Sequence, residues 1–447
     1  MRIAATAVVL ATVVSMGGVQ RPTPQPDPPA FSVVEASIGQ MREAMAQGRT
    51  TSRDLVQQSL DRIARYEGRL NAVITLNPGA LAEADGLDRE RRSGRVRGPL
   101  HGIPVALKDN IHTTNLPTTG GAQAFARLVP PYEATLTTRL VQSGAVIIAK
   151  TVLTELANWV AVGMPTNYSS LAGFGFNPYD PRPDPRAGLS DGRPVLAAGG
   201  SSSGIGTAAS FWAANVGTET SGSILNPAGQ TMLVGIKPTV GRISRYGVIP
   251  ITADQDTPGP MARSVADAAT MLGALEGTAP DPRDPATQAC QPPPGNDYTR
   301  YLDRDALKGA RIGIPRAFFY DGATTPGTRG ATGGLTDAQR RVMEEAIDAL
   351  RAQGATIVDP ADIPSITTGV PGDNLLLWGV CNGPGDAKGR DQDCSVVFKY
   401  GMKRDFNAWL RSLGNRAPVG TLTALREWNL AREAMGTLMY AQAQLDN

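Results

Sequence analysis

The spacing of apolar residues predicts two helical stretches in the N-terminal part of the chain. Helical periodicity runs from Val33 to about Leu76 and returns over residues 80–94. In the first stretch Thr51 or Ser52 is placed to cap a helix, because a side-chain hydroxyl can accept a hydrogen bond from the first turn. The folded part of the chain is therefore expected to begin with helices.

Short apolar runs with strand propensity follow from Gly102 onward. The runs are "GIPVALKDNI" (102–111), "AVIIAKT" (145–151), "RIGIPRAFF" (311–319) and "ATIVDP" (355–360), and helical patterns separate them, one of them over residues 336–353. Strands that alternate with helices are typical of an α/β sheet covered on both faces. This is the fold class that we predict.

Two stretches rich in proline, glycine and aspartate, residues 177–194 and 276–297, are predicted to be loops. The second marks a subdomain boundary in a chain whose 447 residues would allow two or three domains. The predicted division is a leading segment, 1–31, and one domain over 32–447. The pattern near Asn447 is helical without a stop signal, so this domain is expected to lack part of its C-terminal end.

The leading segment has the pattern of a secretory signal. Arg2 precedes an uninterrupted small and apolar run, residues 3–16, and a proline-rich linker follows over 22–31. The run is too short for a comfortable membrane span, so no stable membrane anchor is expected. We predict a periplasmic or secreted protein; the alternatives are a disordered apolar tail or a misassigned start codon.

Composition narrows the function classes. The chain is 41% hydrophobic and 19% charged with a formal net charge of +2, and no block of lysine and arginine indicates a nucleic-acid ligand. Cys381 and Cys394 are spaced to close a short loop in an oxidising compartment, which leaves Cys290 over. Neither the cysteines nor the two histidines have a metal-site spacing, so no metal and no cofactor are expected.

The stretch "AAGGSSSGIG" (197–206) raises a question of chemistry. It contains Gly-x-Ser-x-Gly, a nucleophile-elbow pattern centred on Ser202, which needs a histidine base later in the chain. The histidines are His101 and His112, and both come earlier. Lys108 ends an apolar run; it is either a lysine that emerges into solvent or a buried amine that acts as a base when neutral.

The glycine-rich region 199–227 also has two interpretations. It can be a tightly packed helix between two turns, in which glycines serve only the backbone. Alternatively, the N–H groups of "TSGS" (220–223) can converge on a developing oxyanion. A phosphate-binding loop is disfavoured, because the Gly-Lys-Ser/Thr ending of such loops is absent.

Five separated motifs carry a family resemblance that covers residues 35–275. They are "GPLHGIPVALKDN" (98–110), "AGGSSSG" (198–204), "VGTETSGSI" (216–224), "GIKPTVGRISRYGVIP" (235–250) and "DTPGPMARSVADAA" (256–269). In this order they resemble the amidase signature family, and the wording "GTETSGSI" resembles its peptide-amidase-like members. The resemblance implies a mixed central β-sheet covered by helices on both faces, preceded by an N-terminal helical segment.

The resemblance also implies a Ser–cis-Ser–Lys triad. Matching the motifs makes Lys108 the base, Ser201 the bridging serine with a cis peptide bond, and Ser223 the nucleophile. The oxyanion hole would be formed by the backbone N–H groups of Thr220, Ser221, Gly222 and Ser223. Ser202 and Glu219 would support the network.

The chain departs from the family pattern near the triad. The interval from Ser201 to Ser223 is about two residues shorter than in the family, so Ser202 or Ser203 could be the bridging residue instead. Leu225 stands where many members carry arginine, and Glu219 stands where aspartate is common. The family chain also normally continues past the position of Asn447.

Three functions remain open. The leading hypothesis is an amidase that hydrolyses small linear amides or peptide C-terminal amides through an acyl-enzyme. A second is the A subunit of a glutamyl-tRNA amidotransferase, which the signal-like segment disfavours. A third is a catalytically inactive family member that acts as a binding protein.

Overall fold

The computed structural model describes residues 30–377, 379–381 and 394–447. The predicted signal sequence and most of the linker therefore lie outside the described residues. The division between the segment 1–31 and the domain 32–447 stays a prediction.

The core of the molecule is a six-stranded mixed sheet. The described residues form this sheet and three two-stranded sheets. Their strands are β1 (Val73–Leu76), β2 (Pro104–Lys108), β3 (Val146–Thr151), β4 (Tyr168–Ser169), β5 (Gly173–Phe174), β6 (Ala214–Glu219), β7 (Val234–Gly235), β8 (Thr257–Ala262), β9 (Arg311–Gly313), β10 (Thr356–Val358), β11 (Gly379–Val380) and β12 (Cys394–Ser395). The order in the main sheet is β1-β3-β2-β6-β8-β7. β2 runs parallel to β3 and β6, whereas β1, β7 and β8 pair antiparallel with their neighbours.

Helices cover both faces of this sheet, as predicted. The α-helices of the described residues, including those that lie away from this sheet, are α1 (Ile38–Ala46), α2 (Ser52–Leu70), α3 (Ala80–Arg92), α4 (Thr135–Gln142), α5 (Ile205–Ala208), α6 (Leu225–Gln230), α7 (Val265–Glu276), α8 (Asp337–Ala352), α9 (Pro364–Thr367), α10 (Val397–Ser412), α11 (Leu422–Leu430) and α12 (Ala443–Asp446). Successive strand residues point to opposite faces. Leu107 of β2 packs in a cluster with Met41 of α1, whereas Ala106 packs with Val56 of α2.

One predicted boundary is wrong at the N-terminal side of the sheet. The helical pattern predicts a helix as far as Leu76, but α2 ends at Leu70, and its C-cap Asn71 has a φ of 47° in the left-handed region. The residues that follow form β1, which pairs with β3 through Val73 and Thr151. The sheet edge therefore overrides the local helical pattern, because β-branched side chains pack well on a pleated surface.

The later predicted strands form a small sheet of their own. β9 and β10 pair in parallel on either side of α8, whose N-terminus is capped by Thr336. β9 is shorter than the run that predicted it. Residues 276–297 follow α7 as a loop with only short 3₁₀ turns.

The disulfide prediction is confirmed between Cys381 and Cys394, and Cys290 is a free, half-buried thiol. In the part of the chain that the structure describes, none of the helices combines the length and apolar character needed to cross a bilayer. Nor do the described residues contain a group of three or more histidine, cysteine or acidic side chains suited to a metal ion.

Candidate active site

Lys108 is the last residue of β2 and is completely buried. Its Nζ lies 2.8 Å from Oγ1 of Thr218 and 3.3 Å from the Thr218 carbonyl oxygen, on the neighbouring strand β6. Burial lowers the pKa of Lys108 to about 7, although the negative charges of Asp256 and Glu219 oppose this change. A large fraction of this amine is therefore neutral at neutral pH and able to accept a proton.

Two serine hydroxyls meet next to this lysine's strand. The Oγ atoms of Ser201 and Ser223 lie 2.6 Å apart, and Ser201 also donates to the carbonyl oxygen of Ala157 at 3.1 Å. Ser223 is buried at the end of the loop between β6 and α6, with 9% of its surface exposed. Of the three consecutive serines that the sequence left open, Ser201 is the one whose hydroxyl meets the Ser223 hydroxyl, whereas Ser202 donates its backbone N–H to the Ser223 carbonyl at 3.2 Å.

The hydroxyls of Ser202 and Ser203 form hydrogen bonds with backbone groups. Ser202 Oγ accepts from the N–H of Thr218 at 3.1 Å and donates to its carbonyl at 3.0 Å. Ser203 Oγ accepts from the N–H of Ile205 at 3.4 Å, at the start of α5. Ser202 is therefore bonded to the same residue, Thr218, that holds Lys108, and its supporting role stays a prediction.

The expected cis peptide bond is not found at these serines. The one cis bond of the described chain joins Asp359 and Pro360. Asn167 Nδ2 donates to the carbonyls of Gly200 (2.8 Å) and Ser202 (3.3 Å), on either side of Ser201. These bonds are made by a trans backbone, which avoids the cost of about 3–4 kcal/mol of a non-proline cis bond.

Among the described contacts, Lys108 and Ser201 share no direct hydrogen bond. Lys108 is held by Thr218, and the Ser201 hydroxyl donates to Ala157. Proton transfer between them therefore requires the Ser201 hydroxyl to exchange the Ala157 carbonyl for Nζ as its acceptor.

The loop 220–223 presents free backbone donors. Within the described part of the chain, the N–H groups of Thr220, Ser221, Gly222 and Ser223 have no protein acceptor. Gly222 has a φ of 84°, a conformation that glycine adopts without strain. Successive N–H groups in a turn can bind an anionic oxygen, so the loop fits the predicted oxyanion hole.

Glu219 fixes the far end of this loop. Its Oε2 accepts from the N–H groups of Ile224 and Leu225 at 2.7 and 2.9 Å, where α6 begins. A carboxylate is favourable at a helix N-terminus, because the first-turn N–H groups lack partners within the helix. This contact explains how glutamate can serve where the family commonly has aspartate.

Both histidines are structural. His101 Nε2 contacts the Leu87 carbonyl at 3.0 Å, and His112 Nε2 accepts from Trp409 at 2.9 Å. Burial, followed by the charge of Lys150, lowers the pKa of His112 to about 3. The histidine-dependent elbow centred on Ser202 is therefore excluded by the contacts of the rings.

Sequence reasoning missed four contributors to the site. Thr218 and Asp256 lie inside two of the five family motifs, but nothing in their spacing marked them. Asn167 gave no signal beyond a turn-forming residue type. Ala157 belongs to three successive left-handed residues, 156–158, with φ of 44°, 57° and 69°. Such strain is common at functional sites and cannot be read from side-chain pattern.

The family of this chain is shown by a family model that matches most of its length. The family model Amidase matches residues 54–388. The chain belongs to the amidase family. Amidases are hydrolases that act on the carbon–nitrogen bond of amides.

Individual relatives agree with this assignment. The chain is 38% identical over 407 residues to a probable amidase from Arabidopsis thaliana, across 89% of this chain and 69% of the relative. It is 40% identical over 319 residues to the A subunit of glutamyl-tRNA(Gln) amidotransferase from Chloroflexus aurantiacus, across 71% of this chain and 58% of that protein. The chain therefore spans between about six and seven tenths of the length of these two relatives.

A solved structure supports the peptide-amidase-like placement. The native peptide amidase from Stenotrophomonas maltophilia superposes with a TM-score of 0.75 at 36% identity, and the match covers 92% of this chain and 74% of the peptide amidase. The expected amidase fold, with a mixed sheet between layers of helices, is thus confirmed for this family member.

Proposed function

We propose that this amidase hydrolyses carboxamide bonds of small linear amides or peptide C-terminal amides through a Ser223 acyl-enzyme. The observation that carries the proposal is the 2.6 Å contact between the Ser201 and Ser223 hydroxyls, at the end of a loop of free N–H groups. The buried Lys108 contacts Thr218, five residues before Ser223 in the chain. A serine hydroxyl is a weak nucleophile until a neighbouring base removes its proton.

The proton path runs from Ser223 to Ser201 and on to Lys108. As Ser223 Oγ attacks the amide carbon, its proton passes to Ser201 Oγ, and the Ser201 proton passes to neutral Nζ. The carbonyl oxygen becomes anionic and is bound by the N–H groups of residues 220–223. The same path in reverse protonates the leaving amine, and a water molecule then hydrolyses the acyl-enzyme.

The substrate class rests on the similarity to the peptide amidase from Stenotrophomonas maltophilia. The name of that protein indicates an amide attached to a peptide, and it shares the fold of this chain at 36% identity. The competing candidate is the A subunit of a glutamyl-tRNA amidotransferase, supported by the 40% identity to the Chloroflexus protein. The two candidates differ in their need for partner proteins and tRNA.

The decisive experiment combines labelling with a substrate assay. A fluorophosphonate probe should label the wild-type protein and fail to label Ser223→Ala, whereas the exposed control Ser93→Ala should label normally. Ammonia release from a C-terminally amidated peptide, measured without tRNA or partner proteins, should then exceed release from glutamine. Labelling that persists in Ser223→Ala would refute the nucleophile, and release only from glutamine would favour the amidotransferase.

We also propose that the protein is exported. The disulfide between Cys381 and Cys394 supports an oxidising compartment, and the first 31 residues have a signal-like pattern. Residues 1–31 fused to a reporter without its own signal should deliver the reporter out of the cytoplasm. A reporter that stays in the cytoplasm would contradict this localisation.

A further inference from the structure

Asp256 is a buried carboxylate whose place follows from strand register. In the antiparallel pair β6–β8, Glu219 lies opposite Thr257. Continuing that register by one residue brings Asp256 opposite Thr220, the first residue of the oxyanion loop. The side chain is 7% exposed, so its interactions are made with protein groups.

The two carboxylate oxygens of Asp256 are fully engaged. One accepts the hydroxyl of Thr220 at 2.5 Å. The other accepts the N–H groups of Ile251 and Thr252 at 2.9 and 3.0 Å. Asp256 therefore ties the oxyanion loop to the turn before β8, through bonds of the charge-assisted kind.

Thr220 is also close in the chain to Thr218, the residue that holds Lys108. Thr218 lies in β6, and Thr220 directly follows Glu219, the last residue of that strand. Thr218 holds Nζ of Lys108, and Thr220 holds Asp256. The negative charge of Asp256 raises the pKa of Lys108 and the positive charge of Lys108 lowers the pKa of Asp256, so each charge favours the ionised form of the other.

Lys108 becomes a cation when it accepts the proton. The carboxylates that face it are Asp256 and Glu219. Glu219 is committed to the N–H groups of Ile224 and Leu225, at the start of α6. Asp256 is instead bonded to Thr220, two residues after the Thr218 that holds Lys108.

The surrounding charges are already paired. Arg245 faces Asp256 but binds Asp284 through its guanidinium at 2.5 Å. Asp109, next to Lys108 in the chain, is paired with Lys150 at 3.0 Å. Because Asp109 is paired with Lys150 and Arg245 with Asp284, Asp256 is the carboxylate available to stabilise the positive charge that forms on Lys108.

We propose that Asp256 is a positioning residue for amide hydrolysis, which holds the oxyanion loop through Thr220 and supplies the counter-charge to protonated Lys108. This inference rests on the proposed function for its role in the reaction. Its electrostatic part concerns the free protein and can be measured separately.

The first test is the pH dependence of kcat/KM in Asp256→Asn. The variant keeps the size of the side chain and loses its charge, so protonated Lys108 is less stable. The acidic side of the pH profile, where kcat/KM rises as Lys108 loses its proton, should move to lower pH by about one unit. We call this part of the profile the acidic limb. Asp254→Asn is the matched control, because Asp254 is half exposed and pairs with Arg404 at the surface. An acidic limb that is the same in Asp256→Asn and wild type would overturn the proposal.

The second test separates the loop contact from the charge. Thr220→Val removes the hydroxyl and keeps the carboxylate, so kcat should fall about tenfold while the acidic limb moves less than in Asp256→Asn. Thr220→Ser should restore kcat. A kcat in Thr220→Val that equals wild type, or a loss that serine does not rescue, would contradict the positioning role.

A third measurement does not depend on turnover. Carbon-13 labelling of lysine side chains, with Lys108→Met to assign the signal, gives the Lys108 pKa by NMR titration. The pKa should fall in Asp256→Asn and stay constant in Asp254→Asn. A pKa that falls in a protein without amidase activity would refute the proposed function alone, whereas an unchanged pKa refutes the counter-charge.

Discussion

Two completely buried lysines lie on adjacent parallel strands, and their surroundings differ in one respect. Lys150 of β3 forms an ion pair with Asp109 at 3.0 Å and donates to Thr118 Oγ1 at 2.9 Å. Lys108 of β2 contacts only the carbonyl and hydroxyl of Thr218 in the described structure. Burial lowers the pKa of both lysines, but only Lys150 has a carboxylate in contact to oppose it.

The comparison shows how one sheet holds a paired lysine and an unpaired lysine, the second of which is the base in the proposed function. A paired buried charge is stable as long as its partner remains, whereas an unpaired buried amine gives up its proton readily. The position of a single carboxylate, Asp109, thus separates the two roles.

The largest effect is expected from Lys108→Met. Removal of the base should lower kcat/KM roughly 10⁴-fold, because the serine relay loses its proton acceptor. Thermal unfolding should change little, since methionine fills a similar volume and leaves no buried charge without a partner. The exposed Lys403→Met serves as control, and activity of Lys108→Met near the wild-type level would remove Lys108 from the site.

For the paired lysine, Lys150, the substitution Asp109→Asn should lower the stability of the protein. It leaves the charge of Lys150 buried without its carboxylate, which costs about 3–5 kcal/mol of unfolding free energy. Urea unfolding measures this loss. The double variant Asp109→Asn/Lys150→Met should recover part of it, and additive losses in the double variant would show that the two residues do not act as a pair.

The pH dependence of the wild-type protein sharpens the same contrast. Because Lys108 must be neutral to accept a proton and its pKa is lowered to about 7, kcat/KM should rise through that pH and level above it. Below the limb, each pH unit should cost about tenfold in kcat/KM. A limb near the ordinary lysine pKa would show that Lys108 is not the titrating base.

The smallest effect is expected at a surface pair. Lys308 and Asp305 lie 2.8 Å apart, with about 70% of each side chain exposed. Lys308→Met should change the free energy of unfolding by less than about 0.5 kcal/mol, because water screens the pair. A loss comparable to that of Asp109→Asn would mean that contact distance, and not burial, decides the value of these pairs.

The motifs allowed several site residues to be predicted from the sequence. Lys108, Ser201 and Ser223 were selected through the family resemblance, and the structure brings the two serines into contact. Their catalytic roles stay a prediction. Thr218 and Asp256 escaped notice, because their importance arises from contacts with residues far away in the chain.

The sequence alone determined the alternation of helices and strands and the candidate residue types, since local periodicity and motifs depend on neighbouring positions, but it did not mark β1, β6 or β8. It also left three serines as candidates for one role and could not tell a solvent-exposed Lys108 from a buried one. Only the tertiary structure decided these points. The pKa of Lys108 depends on strands that bury it and on Thr218, which is 110 residues away, and no local pattern encodes such a contact.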